Sequence, residues 1–177
     1  MNIIEIIVFV LGTICLIYIS WNFSLKQKRY HGIPRFFTIE GIFLLVLLNY
    51  FDWFINPFSL IQIVSWILLI SSAIIVFLGF YSLYKRGKPE GQIENTTNLI
   101  TTGIYKYIRH PIYSSVIPGV IGILLKDVGY IQIILVVVIF VSLVFTAKVE
   151  EREMIKKFES EYENYSKKTK MFIPFIF

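Results

Sequence analysis

The stretch LIQIVSWILLISSAIIVFLGFYSL, residues 60–83, contains no charged residue. A helix needs about 20 apolar residues to cross a hydrocarbon core of roughly 30 Å, so this run is long enough to span a bilayer. Comparable runs lie on both sides of it, at residues 3–21, 36–55, 111–125 and 128–147. Asn56-Pro57 closes the second, because proline cannot continue a helix. The fourth opens with Pro111, which suits a first helical turn. It is about 21 Å long at helical rise, short for a full crossing. Pro118, Gly119 and Gly122 are expected to bend it, and Lys126-Asp127 turns it into the fifth run as a hairpin. The first run lacks a basic leader and exceeds the usual signal-peptide core, so it reads as a retained helix.

Composition agrees with this pattern. Hydrophobic residues make up 56% of the 177 and charged residues 16%, against about 25% charged in a soluble domain. The mean hydropathy is +0.69. A soluble fold of this size cannot hide so much apolar surface, whereas a bilayer can. The expected fold is an all-α polytopic membrane helix bundle of about five transmembrane helices, the last two a hairpin. A cytoplasmic amphipathic helix follows, because Met154, Phe158, Tyr162 and Tyr165 recur every three or four residues. The apolar tail, residues 171–177, is expected to lie against the membrane or the bundle. One domain is expected over residues 1–177, with three N-terminal helices in 1–83 and the functional half in 84–177.

The formal charge of +5 does not point to nucleic acid, because the basic residues lie between apolar runs. Lys26, Lys28, Arg29 and Arg35 occupy the first connector. Lys85, Arg86, Lys88, Lys106 and Arg109 occupy the third, and seven more lie in Lys148–Lys170. Together these are sixteen of the seventeen basic residues, Lys126 being the other. Five crossings with the N-terminus outside and the C-terminus cytoplasmic place all three basic regions on the cytoplasmic side.

Site-like residues concentrate in two segments, Asn98–Tyr113 and Lys148–Tyr165. His110 stands where the chain enters the membrane, as a hydrogen-bond donor to a cofactor or as a helix-start cap. His31, in a basic connector, reads as solvated. Glu150 and Glu151 follow an apolar helix directly. They read as ligand-binding carboxylates or as part of a solvated helix with lysine partners. Glu5 and Glu40 fall within a turn of the ends of their runs and are expected to reach toward water. One cysteine and two separated histidines point away from a disulfide and a metal site. No Gly-x-Gly-x-x-Gly or phosphate loop is present, so a nucleotide-like cofactor requires another architecture.

The two segments together resemble the isoprenylcysteine carboxyl methyltransferase family and its relatives, the phospholipid methyltransferases. The first matches Leu-hydrophobic-Thr-x-Gly-x-Tyr-x-x-x-Arg-His-Pro-x-Tyr at Leu99–Tyr113. The second matches Glu-Glu-x-x-hydrophobic-x-x-x-Phe-x-x-x-Tyr-x-x-Tyr at Glu150–Tyr165, with a Pro-Phe-Ile ending at Pro174–Ile176. The resemblance covers roughly the C-terminal half. It implies a membrane-embedded pocket for S-adenosyl-L-methionine, contacted by Thr97, Asn98, Leu99, Ile100, Tyr105, His110, Pro111, Ile112, Tyr113 and Glu150, with Gln92 as a looser correspondence. Glu150 would pair with the cofactor's ammonium and the tyrosines would pack on its adenine.

The implied reaction is in-line methyl transfer to a lipophilic acceptor, a prenylcysteine, phospholipid or small thiol, arriving from the membrane lipids. Arg109 and Glu151 are the candidate catalytic residues. Arg109 either steers an anionic nucleophile or pairs with Glu150 or Glu151. Glu151 or His110 assists an amine acceptor in losing its proton. The sequence departs from the pattern at three positions. An arginine four residues before the first glutamate is here Thr146, which argues against a prenylcysteine carboxylate as acceptor. The glycine after the helix phenylalanine is Glu159, and the one after His-Pro-x-Tyr-x is Ser115. Two other functions stand beside this one: an NADPH-dependent membrane sterol-type reductase, whose family has a related Arg-x-Pro-x-Tyr segment, and a non-enzymatic membrane scaffold or transporter subunit.

Overall fold

A computed structural model describes residues 2–27, 30–87 and 97–177. Lys28, Arg29, Lys88 and Gln92 lie outside the described residues. Among the described residues, five α-helices account for most of the chain: α1 (Ile3–Phe23), α2 (Gly32–Leu48), α3 (Leu60–Gly87), α4 (Pro111–Leu124) and α5 (Tyr130–Lys168). The protein is all-α, and among the described residues the only β pairing is an isolated parallel bridge, Ile108 with Lys170. Helices α1, α3 and α5 are long and apolar enough to cross a membrane, and α4 is a shorter apolar helix. The chain divides into two compact units, residues 1–69 with 120–149, and residues 70–119 with 150–177.

In the first unit, α1 turns most of its apolar side chains outward while packing on α2 through Phe9 and Thr13. Its start is a capping box, in which Asn2 Oδ1 accepts from Glu5 N–H and Glu5 Oε2 accepts from Asn2 N–H. Glu40 of α2 does not reach for water. Its Oε1 accepts from Thr13 Oγ1 of α1 at 2.5 Å, and its Oε2 is buried without a hydrogen-bond partner. Bonds of this kind join helices where the surroundings offer no water.

His31 is buried rather than solvated, at 1% exposure. The cause is the tight return of the chain from α1 into α2. Ser20 Oγ donates to Gly32 O at 3.3 Å, and Arg35 Nη2 donates to Ser24 Oγ at 2.5 Å, with Ser24 itself fully buried.

The second apolar run, expected over residues 36–55, yields a shorter helix shifted toward the N-terminus, because α2 starts at Gly32 and stops at Leu48. The Asn49 side-chain amide donates to Ile123 O at the end of α4 and to Asp127 O in the turn that follows. Gln62 of α3 does the same for Leu125 O and Lys126 O, and Ser65 Oγ for Gly122 O. Gly122 leaves room for this approach, since a Cβ there would crowd the Ser65 carbonyl oxygen at 3.0 Å and the Leu69 side chain. Lys126 is drawn into this network. Its ammonium donates to Gln62 Oε1 at 3.1 Å and sits 3.7 Å from the Trp66 ring centroid and 5.4 Å from that of Trp53. A desolvated cation between indole faces gains about 2 kcal/mol, which offsets the burial of its charge.

In the second unit, α3 and the start of α4 meet through small residues, with Ser72 Oγ donating to Ser115 O at 2.7 Å. Ser115 stands where a glycine was expected. Its hydroxyl is satisfied by Ile112 O at 2.6 Å, so the serine adds no unpaired group.

The fifth run passes without a break into the start of the amphipathic segment, and two helical stretches meet at a kink within that segment. Helix α5 continues from the apolar stretch through Glu150 and Glu151 to Lys168, broken at Glu159, where φ is 46° and ψ −127°. This left-handed conformation explains why glycine suits the position, since a Cβ there costs of order 1–3 kcal/mol. Glu159→Gly is therefore expected to stabilise the protein by about 1 kcal/mol, after the greater freedom of an unfolded glycine is subtracted. Thermal unfolding in detergent checks this, and a lower midpoint for the glycine variant would contradict it.

Candidate functional site

Every described residue of the candidate site lies in the second unit. The approach begins at Thr97, whose N–H donates to Gly87 O at 3.1 Å. Gly103 follows with φ 66°, a conformation glycine adopts freely. It opens a short 3-10 helix, Gly103–Lys106. Arg86 Nη1 clasps this turn through Thr102 Oγ1 at 2.7 Å.

The chain then meets the C-terminal segment edge to edge. Arg109 N–H donates to Lys170 O at 2.8 Å, His110 N–H to Met171 O at 3.2 Å, and Lys170 N–H to Tyr107 O at 3.2 Å. These bonds fix the backbone just before Pro111 starts α4.

His110 is the centre of the cluster. Its ring is 7% exposed and lies between the two carboxylates of α5, with Nδ1 3.3 Å from Glu150 Oε2 and Nε2 3.4 Å from Glu151 Oε1. An imidazole facing a carboxylate with each nitrogen is a double donor, which is its charged form. Burial disfavours that charge, but the contacts to Glu150 and then Glu151 more than offset burial and raise the His110 pKa above its ordinary value. The Nε2 contact is an ion-pair distance without hydrogen-bond alignment, so Nε2 is a buried donor left unsatisfied. The Tyr113 ring stacks on His110 at 5.5 Å between centroids, and its hydroxyl donates to Glu150 Oε1 at 3.2 Å.

Arg109 resolves differently from its neighbour. Nε donates to Glu151 Oε1 at 2.6 Å, and Nη1 donates to Ser166 O at 3.0 Å and Thr169 O at 2.5 Å. Of the two roles open to Arg109, this geometry matches the pairing one. Its guanidinium ties the end of α5 to the loop before α4. Tyr165 makes a second tie, donating through its hydroxyl to Tyr105 O at 2.7 Å. Burial raises the Tyr105 pKa, so this phenol stays neutral.

Of the expected contact residues, the structure brings together Tyr105, His110, Pro111, Tyr113 and Glu150, with Arg109 and Glu151 beside them. Ile100 is buried nearby in sequence, Leu99 is half-buried, and Thr97 and Asn98 are exposed on the approaching loop. Ile112 faces α3 instead, where its side chain lies against Gly79. Gln92 lies outside the described residues. Sequence patterns did not disclose Phe172, whose ring is 2% exposed and packs 6.1 Å from His110. The only trace of it was the apolar character of the tail.

A family model described as phospholipid methyltransferase matches residues 60–161, more than half of the chain. The protein belongs to the phospholipid methyltransferase family. Comparison with curated proteins gives no significant match. The matched region runs from the start of α3 through the Arg109–Glu151 cluster to just short of Tyr162. The matched region of this membrane methyltransferase includes Arg109, His110, Tyr113, Glu150 and Glu151. Among the described residues, no three His, Cys, Asp or Glu side chains are grouped as a metal site.

Proposed function

We propose that this methyltransferase uses S-adenosylmethionine to methylate a lipophilic acceptor, with the cofactor held by the His110–Glu150 cluster at the cytoplasmic face. The observation that carries the reading is the His110 side chain: buried, flanked by two carboxylates, and left with one unsatisfied nitrogen. A buried donor of that kind fits a ligand acceptor atom. The cofactor's ammonium and sulfonium are cations, and Glu150 is a carboxylate with no guanidinium on it. The residues present therefore fit the group.

When bound, S-adenosylmethionine supplies an electrophilic methyl group. The chain's own contribution is positional and electrostatic. Glu150 holds a cationic group, and Tyr113 orients Glu150. Arg109 acts through Glu151 and the C-terminal carbonyls as a positioning residue. An amine acceptor sheds a proton as its nitrogen is methylated, and Glu151, beside the carboxylate that holds the cation, is the residue proposed to take it. Thr146, where the related eukaryotic enzymes carry arginine, is 1% exposed and spends its hydroxyl on Ser142 O at 2.8 Å. It offers no positive charge for a carboxylate. This supports a phospholipid headgroup over a prenylcysteine carboxylate, in keeping with the family's description.

Calorimetry of the detergent-purified protein tests the reading. S-adenosylhomocysteine is expected to bind with 1:1 stoichiometry and NADPH to give no heat. Absence of S-adenosylhomocysteine binding would sink the proposal, and NADPH binding in its place would favour a reductase.

A further inference from the structure

We propose that the C-terminal hook, residues 172–177, is an interfacial anchor that seats its side chains in an anionic lipid surface. The segment is ordered by its own hydrogen bonds. Phe172 N–H and Ile173 N–H both donate to Phe177 O, at 2.8 and 2.6 Å, and Phe177 N–H returns to Ile173 O at 3.1 Å. Phe172 and Phe177 close the turn ring against ring, with centroids 5.9 Å apart.

What this turn presents outward is apolar. Phe175 is 83% and Ile176 75% exposed, and the half-exposed ring of Tyr107 packs edge-on to Phe175 at 6.3 Å. A turn held by four residues' hydrogen bonds to display a phenylalanine and an isoleucine is unfavourable in water. It is favourable at a bilayer interface, where such side chains are buried.

Two observations identify the surface. The first is depth. The backbone bonds from residues 107–110 to 170–171 tie the hook's base to the chain one residue before Pro111 opens apolar α4. At most about 3.5 Å per residue separates Met171 from Phe175, so the hook stays near that level. The second is charge. Lys106, Lys167, Lys168 and Lys170 are exposed around the hook, and neither residues 104–109 nor 166–177 include an acidic side chain. Lysines around an aromatic and aliphatic wedge match anionic headgroups over an acyl boundary. The occupant is thus the surface of the bilayer that holds the chain.

The full chain in vesicles tests this. In a Cys15→Ser background, Phe175→Cys or Ile176→Cys carries an environment-sensitive fluorophore, and Glu163→Cys on the exposed helix face serves as reference. In vesicles containing phosphatidylglycerol, the probe at 175 or 176 is expected to emit further to the blue than the reference. It should be quenched by a headgroup-level nitroxide lipid and shielded from aqueous acrylamide. The shielding should weaken in phosphatidylcholine alone and in the triple variant Lys167→Gln, Lys168→Gln, Lys170→Gln. Acrylamide access equal to that at residue 163 would overturn the anchor. Shielding that is the same in both lipids would overturn the anionic preference. Shielding that rises with protein concentration would assign the patch to a second protein copy instead. None of these readouts needs catalysis, so they stand or fall apart from cofactor binding.

Discussion

Arg109→Ala is expected to free the C-terminal segment and raise its tryptic cleavage at Lys167, Lys168 and Lys170 by more than about a hundredfold. The guanidinium serves three acceptors, the Glu151 carboxylate and the carbonyls of Ser166 and Thr169. Its side chain is 12% exposed and that of Glu151 18%. Removing one partner of a largely buried pair leaves the other charge uncompensated, at about 3–5 kcal/mol. Two carbonyls also lose their donor. Since about 1.4 kcal/mol is tenfold in an equilibrium, a local opening of this size exposes the segment hundreds of times more often. Arg109→Lys should rescue little, because one ammonium cannot reproduce a fork shared between a carboxylate and two carbonyls. Cleavage within about threefold of wild type would show that Arg109 is not the tie.

The second large effect concerns the ligand. Glu150→Gln keeps an acceptor for Tyr113 but removes the negative charge, and is expected to weaken S-adenosylhomocysteine binding about 30- to 100-fold. That is the value of a charge-assisted hydrogen bond in a sheltered site. Glu163→Gln, on the exposed face, should leave affinity unchanged. Equal loss in both variants, or none at Glu150, would detach Glu150 from the cofactor.

The same cluster predicts a pH dependence. The folded pKa of His110 is raised above its unfolded value near ~6.5. Its stabilisation is therefore complete below that unfolded value and is lost as pH rises through the higher folded one. Wild-type thermal midpoints should fall across this window, above about pH 6.5, more steeply than those of His110→Gln. Parallel curves would exclude His110 as the group responsible.

Much of the helical layout was open to inspection before any coordinates. Long apolar runs in lipid satisfy their backbone as helices, so the approximate positions of the five described helices and the start of α4 at Pro111 followed from composition and proline chemistry. The ends were less legible where they depend on distant partners. Helix α2 ends at Leu48 because Asn49 is recruited to carbonyls more than seventy residues away. Nothing in the local run Tyr50–Ile55 announces that. His31 and Glu40 misled for a similar reason. Their sequence neighbourhoods suggest water, while their partners come from a neighbouring helix or a folded-back connector.

The amphipathic C-terminal segment shows the division most sharply. Its spacing put Met154, Phe158, Tyr162 and Tyr165 on one face, and family resemblance picked out Glu150 and Glu151. A gain in one left-handed residue, Glu159, could not be read from propensity, because glutamate normally avoids that conformation. The sequence by itself marked a membrane protein, placed four of the five described helix starts to within two residues, and singled out two polar segments as the candidate site. Tertiary structure alone decided that Arg109 is spent on Glu151 and two carbonyls, that His110 faces two carboxylates at once, and that Phe172 walls the cluster. Apolar run length is a local property of the chain. Pairing of buried charges is not, because it depends on which partners folding brings within about 3 Å.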